Sequence, residues 1–351
     1  MNSPDVVIAG AGIIGVSLAL ELRGRGASVL ILERGEPGQE ASSAAAGMLA
    51  AFAPETPELL KPLARESARI YPEFIHMVQN ASGSSTDFRR QGTVALGKVQ
   101  TAAPEYHEIS EQALKQLEPS IVTNGLPAYL VAEASVDPVL LMRAVVKAAE
   151  RAGIEIRSEA ELVDARPRGE DIQAVTSHET ISCRALVNCC GAWSGMPVRP
   201  RKGQMLYVQP PKSFQFERVV HAPDAYIVPR SSGNVLIGAT VEDVGFDKTV
   251  EDLAIQTLHR AAVRFVPALA SATIIQTWAG LRPGTPDNLP IMGQTAPGMF
   301  IASGHYRNGI LLAPITAKIM ADVVTGRQPA FDLSPFSPAR FKREKLHSLR
   351  G

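Results

Sequence analysis

Cysteine is scarce in this chain of 351 residues, and neither charge is in excess. The three cysteines, Cys183, Cys189 and Cys190, form no CxxC pair, and an odd number is not typical of a disulfide framework. They flank an apolar stretch that we interpret as a buried strand, so we expect buried thiols in a reducing compartment. We predict no metal site.

Long apolar runs are also missing. The longest, residues 6–20, is interrupted by three glycines and Ser17 and is too short to span a bilayer. No positive charge precedes it, so a secretory signal is not expected. Lysine plus arginine and aspartate plus glutamate both number 35, which gives no support for a nucleic-acid-binding surface. We predict a cytoplasmic protein without nucleic-acid partners or stable membrane insertion.

A strand–helix–strand pattern is present at residues 5–35. Residues 5–9 and 27–32 are short and mostly apolar, and Ile14, Leu18 and Leu22 mark one face of a helix between them. The turn that joins the first strand to the helix reads Gly10-Ala11-Gly12-Ile13-Ile14-Gly15. This pattern is typical of a dinucleotide-binding unit.

Each glycine of this turn has a geometric task. Gly10 allows the tight turn, Gly12 lets the backbone approach a pyrophosphate, and Gly15 lets the helix pack against the strands. The helix N-terminus offers free N–H groups to phosphates, and Glu33, which ends the second strand, can accept hydrogen bonds from ribose hydroxyls. The motif predicts an ADP-containing cofactor and does not distinguish NAD from FAD.

The remaining sequence mixes helical and strand patterns. Helices are predicted over residues 58–80, 138–151 and 309–325, and residues 203–243 alternate like antiparallel strands. The tail from Pro329 is rich in proline and basic residues, and we expect it to be loosely packed.

These patterns predict a mixed α/β (α+β) fold in which a β-rich domain with an antiparallel β-sheet is inserted into a Rossmann-like domain. The cofactor domain is expected to be discontinuous, because apolar α/β patterning returns after the insertion. The predicted boundaries are residues 1–85, 130–202 and 275–351 for the cofactor domain, and 86–129 and 203–274 for the inserted domain.

Three further segments identify a family. They are residues 38–49, 278–287 and 304–314, which read GQEASSAAAGML, WAGLRPGTPD and GHYRNGILLAP. Together with the N-terminal glycines they closely resemble the FAD-dependent glycine oxidases of the D-amino-acid oxidase family, in the same order over nearly the whole chain. The resemblance implies an FAD domain, a substrate domain with an antiparallel sheet, and noncovalent FAD.

The resemblance also implies which residues hold the cofactor. Glu33 and Arg34 would contact the phosphates and the adenosine ribose, the backbone of Val163 would meet the adenine, and residues 305–311 would follow the flavin ring and ribityl chain. The predicted set is Gly10, Gly12, Ile13, Ile14, Gly15, Glu33, Arg34, Ala41, Ser42, Ala46, Gly47, Met48, Val163, Gly191, His305, Tyr306, Arg307, Asn308, Gly309, Ile310 and Leu311.

An α-amino acid substrate needs its carboxylate held so that its Cα–H faces the flavin. Arg282 ends a predicted apolar strand, where an unpaired arginine would be costly, and a guanidinium can bind a carboxylate with two hydrogen bonds. We therefore assign Arg282 to the carboxylate. Arg307 matches a second substrate position of the family, and Tyr226 would donate its hydroxyl to the carboxylate. His305 is not assigned as a base, because the resemblance implies that positioning and the cofactor carry the step.

The activity that the resemblance implies is oxidative deamination of glycine and other small amino acids or amines. A hydride passes from Cα to the flavin, the imine hydrolyses to an oxoacid and ammonia, and oxygen is reduced to hydrogen peroxide. Supply of the thiamine thiazole follows by analogy only. The preferred amino acid and the oligomeric state, a homo-oligomer being one alternative, stay open.

The main alternatives are a D-amino-acid dehydrogenase and a sarcosine or N-methyl amino acid oxidase of the same family. No cysteine follows Cys190, so the C-terminal cysteine that tethers flavin in monomeric sarcosine oxidases is missing. Val241 stands where relatives often carry methionine near the substrate, which leaves the preference for glycine open. Trp193, Trp278 and residues 202–204 also match family positions, and we assign them no chemical role.

Overall fold

The structure is a computed structural model that describes residues 3–97, 104–212 and 214–342. Parts of the predicted domains, at residues 98–103, 213 and 343–351, lie outside the described residues. The α-helices of the described residues are α1 (Ile13–Gly24), α2 (Lys61–Ser82), α3 (Glu111–Leu117), α4 (Pro138–Arg151), α5 (Asp252–Phe265) and α6 (Gly309–Val324).

The strands belong to two large sheets and two small ones. In chain order they are β1 (Val6–Ala9), β2 (Val29–Leu32), β3 (Met48–Leu49), β4 (Thr93–Leu96), β5 (Tyr106–Ile109), β6 (Ala128–Val131), β7 (Ala134–Ser135), β8 (Glu155–Arg157), β9 (Leu162–Arg168), β10 (Asp171–Thr176), β11 (Thr180–Cys183), β12 (Ala185–Asn188), β13 (Arg199–Gln209), β14 (Val219–His221), β15 (Tyr226–Pro229), β16 (Val235–Gly238), β17 (Thr273–Gly284), β18 (Ile291–Ala296) and β19 (Met299–Ser303).

The first large sheet has the strand order β18-β19-β12-β1-β2-β8. Its strands from β19 to β8 run parallel, and β18 pairs antiparallel with β19 at the edge. Ile8 packs towards helices α1, α2, α4 and α6, whereas Val7 packs towards the small sheet β11-β10-β9. Both faces of the central strands are covered, which explains why β1 and β2 are apolar throughout.

The predicted strand–helix–strand unit is confirmed by β1, α1 and β2, which pair and pack as expected. The predicted start of α4 is confirmed as well. The Asp137 carboxylate accepts hydrogen bonds from the N–H groups of Val139 (2.9 Å) and Leu140 (3.1 Å), and Pro138 occupies the first helical position, where a missing N–H costs nothing.

The second large sheet has the strand order β17-β13-β16-β15-β14-β4-β6-β5. It is antiparallel except where β14 pairs with β4. Helix α5 covers one face through Leu258, Ala262 and Phe265. Two sheets of different type, with helices on each, confirm the predicted mixed α/β class.

The expectation of a loosely packed tail is wrong for residues 334–342. Phe336 is fully buried in the core of the first sheet, and Arg340 forms an ion pair with Asp287 (2.8 Å). Proline-rich sequence lacks a regular period, so the burial of one aromatic side chain could not be predicted from the pattern. No helix in the described ranges has both the length and the apolar character needed to cross a membrane.

Helix α6 contains a proline, and helix α2 compensates for it. Pro314 has no N–H group, so the carbonyl of Ile310 loses the hydrogen bond that it would accept within the helix. The hydroxyl of Tyr71 donates to this carbonyl (3.2 Å), and the buried hydroxyl of Ser67 donates to the carbonyl of Leu311 (2.6 Å). The start of α6 is thereby held by α2.

Removing the Tyr71 hydroxyl should therefore destabilise the fold. We expect Tyr71→Phe to leave the Ile310 carbonyl unpaired in the core and to lower the free energy of unfolding by about 1–3 kcal/mol, as measured by urea denaturation. Tyr207→Phe is the matched control, since the Tyr207 hydroxyl is exposed and water can replace its contact with Ser232. Equal, small losses in both variants would contradict the role given to Tyr71.

Candidate functional site

A cavity of about 650 Å³ lies where the carboxyl ends of β1, β2, β12 and β19 meet the eight-stranded sheet. In open α/β sheets, ligands bind outside the carboxyl ends of the strands. The first sheet contributes residues such as Glu33 and Cys190, and the second contributes residues such as Met205 and Gly238. The volume is in the usual range for small-molecule and cofactor sites, about 300–1,000 Å³.

Most of the predicted site residues meet in this one cavity, although they come from distant parts of the chain. Those that line it are Gly10, Gly12, Ile13, Ile14, Glu33, Arg34, Ala41, Ser42, Ala46, Gly47, Met48, Gly191, Tyr226, Arg282, His305, Tyr306, Arg307, Asn308, Gly309 and Ile310.

Three predicted residues do not line the cavity. Gly15 is buried within α1, and Leu311 is buried in the core beneath the start of α6. Val163 is 58% exposed on β9, whereas the residues before it, Glu161 and Leu162, do line the cavity. The adenine contact assigned to Val163 stays a prediction.

The glycine turn exposes bare backbone to the cavity. Gly10 has a φ of +104°, and a Cβ there would lie 2.5 Å from the carbonyl oxygen of Cys189. A Cβ at Gly15 would clash with the carbonyl oxygen of Gly10. Only glycine allows β1, α1 and the end of β12 to approach so closely, and the turn thereby brings the N-terminus of α1 to the cavity wall.

Glu33 holds the turn as well as facing the cavity. Its carboxylate accepts hydrogen bonds from the N–H groups of Ala11 (2.8 Å) and Gly35 (3.0 Å). The hydroxyl of Ser42 accepts one from the N–H of Ile13 (3.0 Å). An ionised carboxylate has further acceptor positions, so Glu33 can also receive ribose hydroxyls. The sequence motif indicated the second role and missed the first.

Another helix N-terminus borders the cavity. Helix α6 begins after Asn308, and no side chain caps it. The first N–H groups of a helix have no partner within the helix, and here they belong to residues such as Gly309 and Ile310, which line the cavity. The positive end of the helix dipole favours negative charge at this point.

The opposite side of the cavity carries polar and cationic groups on the eight-stranded sheet. Tyr226 and Arg282 line it, and Arg307 reaches it from the loop before α6. Burial raises the pKa of Tyr226, although the guanidinium of Arg282 opposes the shift, so the hydroxyl is a proton donor at neutral pH. This group of donors suits an anionic substrate group such as a carboxylate.

Sequence analysis missed His221, which pairs with Tyr226 across β14 and β15 and lines the cavity. Burial lowers the pKa of His221, Glu55 raises it and Arg307 lowers it, with a net decrease. A histidine on a short strand gives no local signal of a site, because only the sheet register brings it beside Tyr226.

Sequence analysis also missed a contact between the first sheet's side of the cavity and the segment that follows β16. The guanidinium of Arg34 lies 3.7 Å from the ring centre of Trp193, and Phe246 packs on the same indole at 5.2 Å between ring centres. Lys248 forms an ion pair with Glu40 (3.2 Å). Residues 246–248 thus contact the predicted cofactor side of the cavity through a stacked aromatic ring and an ion pair.

The fold and the cavity define a class of protein. The chain matches the family model described as FAD dependent oxidoreductase (DAO) over residues 5–323, and it belongs to this family. The cavity fits FAD, since it offers the N-terminus of α1, which can receive phosphates, beside Glu33 at one side and the N-terminus of α6 at another.

Individual relatives indicate a narrower group within this family. The chain is 32% identical to the glycine oxidase of Geobacillus kaustophilus, over 96% of this chain and 97% of the relative. The crystal structure of glycine oxidase from that organism superposes with a TM-score of 0.90, covering 97% of this chain and 99% of that chain at 32% identity. A bifunctional protein ThiO/ThiG of Trichormus variabilis is 36% identical over 97% of this chain, which spans 55% of that longer protein.

His305 lines the cavity but is not suited to accept a proton. It is 3% exposed, its Nε2 lies 3.1 Å from the hydroxyl of Thr316 on α6, and burial lowers its pKa to about 3. The imidazole is therefore neutral near pH 7 and ties the loop before α6 to the helix.

The buried imidazole should make the fold sensitive to acid. Between about pH 6.5 and pH 3 the unfolded chain binds a proton that the folded chain excludes, so stability falls as the pH drops through this window. We expect the loss of unfolding free energy between pH 7 and pH 5 to be smaller by about 2 kcal/mol in His305→Gln than in the unmodified protein. Urea denaturation at both pH values measures this, and an equal loss in both proteins would overturn it.

Proposed function

We propose that this protein catalyses the FAD-dependent oxidative deamination of glycine and other small amino acids. Oxygen is the electron acceptor, and the products are an oxoacid, ammonia and hydrogen peroxide. The observation that carries the proposal is the convergence of Arg282, Tyr226 and Arg307 on a cavity whose other walls fit FAD. Similarity to glycine oxidases over nearly their whole length supports the choice of substrate class.

Arg282 is the residue that we assign to the substrate carboxylate. Its Nη1 donates a hydrogen bond to the carbonyl of Thr240 (3.2 Å), and a guanidinium has several further N–H donors, which can bind a carboxylate from the side. Tyr226 adds a hydroxyl donor, which now contacts the sulfur of Met205 (3.5 Å). Arg307 is exposed at the rim and adds positive charge.

When bound, FAD supplies the hydride acceptor. The residues of the chain bind the carboxylate, fix the direction of Cα and exclude water, which is the positioning contribution to the rate. His221 and His305 both have a lowered pKa and are neutral near pH 7. The proposed reaction uses no side-chain base and needs the substrate amine in its neutral form.

Several finer points belong to the same proposal. FAD is held noncovalently, the cofactor residues act as assigned above, and Val163 contacts the adenine through its backbone. We also propose that the chain divides into a discontinuous cofactor domain and an inserted substrate domain, and that the protein is cytoplasmic. A homo-oligomer stays one alternative for its assembly. Supply of a thiazole precursor for thiamine stays a prediction, because this chain spans only about half of the bifunctional ThiO/ThiG relatives.

The decisive experiment is the visible absorption spectrum of the holoprotein before and after anaerobic addition of glycine. We expect flavin bands that bleach with glycine and return, with formation of hydrogen peroxide, when air is readmitted. Bands that bleach but do not return in air would favour a dehydrogenase. If the bands persist with glycine but bleach with sarcosine or D-alanine, that compound and not glycine is the substrate.

The assignment of Arg282 has its own test. We expect Arg282→Ala to raise the KM for glycine by about 100-fold or more, because two hydrogen bonds to a charged group are lost, each contributing about 1.5–3 kcal/mol. Steady-state oxygen consumption measures KM, and the flavin spectrum of the variant serves as the control for cofactor binding. An unchanged KM with intact flavin bands would remove Arg282 from the substrate site.

A further inference from the structure

Arg282 occupies a position that a neighbouring glycine makes available. Gly203 lies on β13, next to β17, which carries Arg282. A Cβ on Gly203 would lie 2.5 Å from Cζ and Nη2 of Arg282 and closer still to Nη1. The guanidinium therefore occupies the space that a side chain of residue 203 would fill, and any side chain at that position would push it away.

Tyr226 is placed in the same manner from the other side. It lies on β15 and leans over Gly238 of the neighbouring β16, where a Cβ would lie 2.5 Å from Cε2 and 2.7 Å from the hydroxyl oxygen. Strands β13 and β16 are neighbours, with Met205 paired to Gly238. Arg282 and Tyr226 thus lean towards each other over two side-chain-free positions of the sheet.

The residues on either side of Gly203 are buried, polar and bonded to one loop. Lys202 is fully buried, with its ammonium 3.4 Å from the carboxylates of Glu242 and Asp247 and 3.8 Å from that of Glu251. Gln204, also fully buried, donates to Glu242 (2.9 Å) and accepts from the N–H of Glu251 (2.7 Å).

Gln204 and Glu242 also hold Thr240, which contacts Arg282 directly. The Thr240 hydroxyl accepts a hydrogen bond from the N–H of Gln204 (2.8 Å) and donates one to Glu242. The Thr240 carbonyl, in turn, accepts the hydrogen bond from Nη1 of Arg282 (3.2 Å). The position of the guanidinium is therefore fixed on one side by the space above Gly203. On another side it is fixed by the Thr240 carbonyl, which Lys202, Gln204 and Glu242 hold in place.

A buried lysine and glutamine with such a set of partners are costly unless every bond is made. Neither side chain reaches the surface, and neither is in the group of residues that lines the cavity. Their combined effect on the cavity is the placement of Thr240 and, through it, of Arg282.

We propose that Lys202, Gly203 and Gln204 are positioning residues that set the affinity of the site for the substrate carboxylate by holding Arg282 in place. The proposal rests on the assignment of Arg282 to the carboxylate under the proposed function. It predicts that a methyl group added at Gly203 weakens carboxylate binding without affecting FAD binding or folding, because the guanidinium is the flexible end of a side chain and can yield.

The test uses the holoenzyme and acetate, a carboxylate that lacks the amine and is not oxidised. The Kd of acetate is read from the change in flavin absorbance, and glycine reactivity from the anaerobic rate of flavin reduction at low glycine. We expect Gly203→Ala to raise the Kd at least tenfold and to lower the low-glycine rate by a similar factor. The midpoint of thermal unfolding and the flavin content should stay as in the unmodified protein.

Gly24→Ala is the matched control, because a methyl group there would meet no described heavy atom within 4 Å. A double-mutant cycle separates positioning from general damage. If Gly203 acts through Arg282, Gly203→Ala should change the low-glycine rate less than twofold in an Arg282→Ala background. The same loss in both backgrounds, or no loss in the single variant, would overturn the proposal.

Glu242→Gln tests whether the hydrogen bonds that hold Thr240 contribute to the position of Arg282. Glutamine keeps the size of the side chain and removes the charge beside Lys202, so we expect a raised Kd for acetate and a smaller change in the limiting rate at saturating glycine. An unchanged Kd would leave Gly203 alone as the positioning element. If the unmodified holoenzyme neither binds acetate nor is reduced by glycine, the proposed function fails, whereas normal binding with an unaffected Gly203→Ala overturns only the positioning role.

Discussion

The antiparallel pairing of β13 with β17 is the constraint on which the site depends. It runs from Arg199 opposite Gly284 to Gln209 opposite Thr273. Because side chains alternate between the faces of a sheet, a slip of one residue would turn Arg282 away from the cavity. On its other edge, β13 is held by the segment that follows β16, because Lys202 is buried and would lose its three carboxylate partners if β13 moved relative to that segment.

The cofactor side of the cavity depends on a different constraint, because several backbone segments must approach one another closely there. Gly10 lies against the end of β12, and Glu33 bonds to the turn that precedes α1. At the start of α6, Tyr71 takes over the carbonyl that Pro314 leaves without a partner. The contacts of Glu33 and Tyr71 each satisfy a backbone group, and the first N–H groups of α6 have no partner within the helix.

Much of this could be predicted where the signal is local. The strand–helix–strand unit needs only apolar periodicity and three glycines within about 30 residues, as dinucleotide-binding units generally do. The segments around Arg282 and Arg307 are similarly compact, and the family resemblance that they carry extends to the cofactor. The buried Phe336 escaped prediction because it packs against residues that are remote in sequence. Strand β18 pairs with the adjacent strand β19, and His221 pairs with Tyr226 five residues later, but neither short stretch carries a local signal of a strand or of a site.

By itself, the sequence determined the fold class and the cofactor family, and most of the site residues that it predicted line the cavity, since glycine turns, apolar strands and family segments are properties of short stretches. Only the tertiary structure decided how those residues are held. Gly203 lies nearly eighty positions before Arg282 in the chain, and the two touch because β13 and β17 pair. Packing across strands also placed Lys202 among acids from another loop, because a buried charge is stable only where its partners meet it in space.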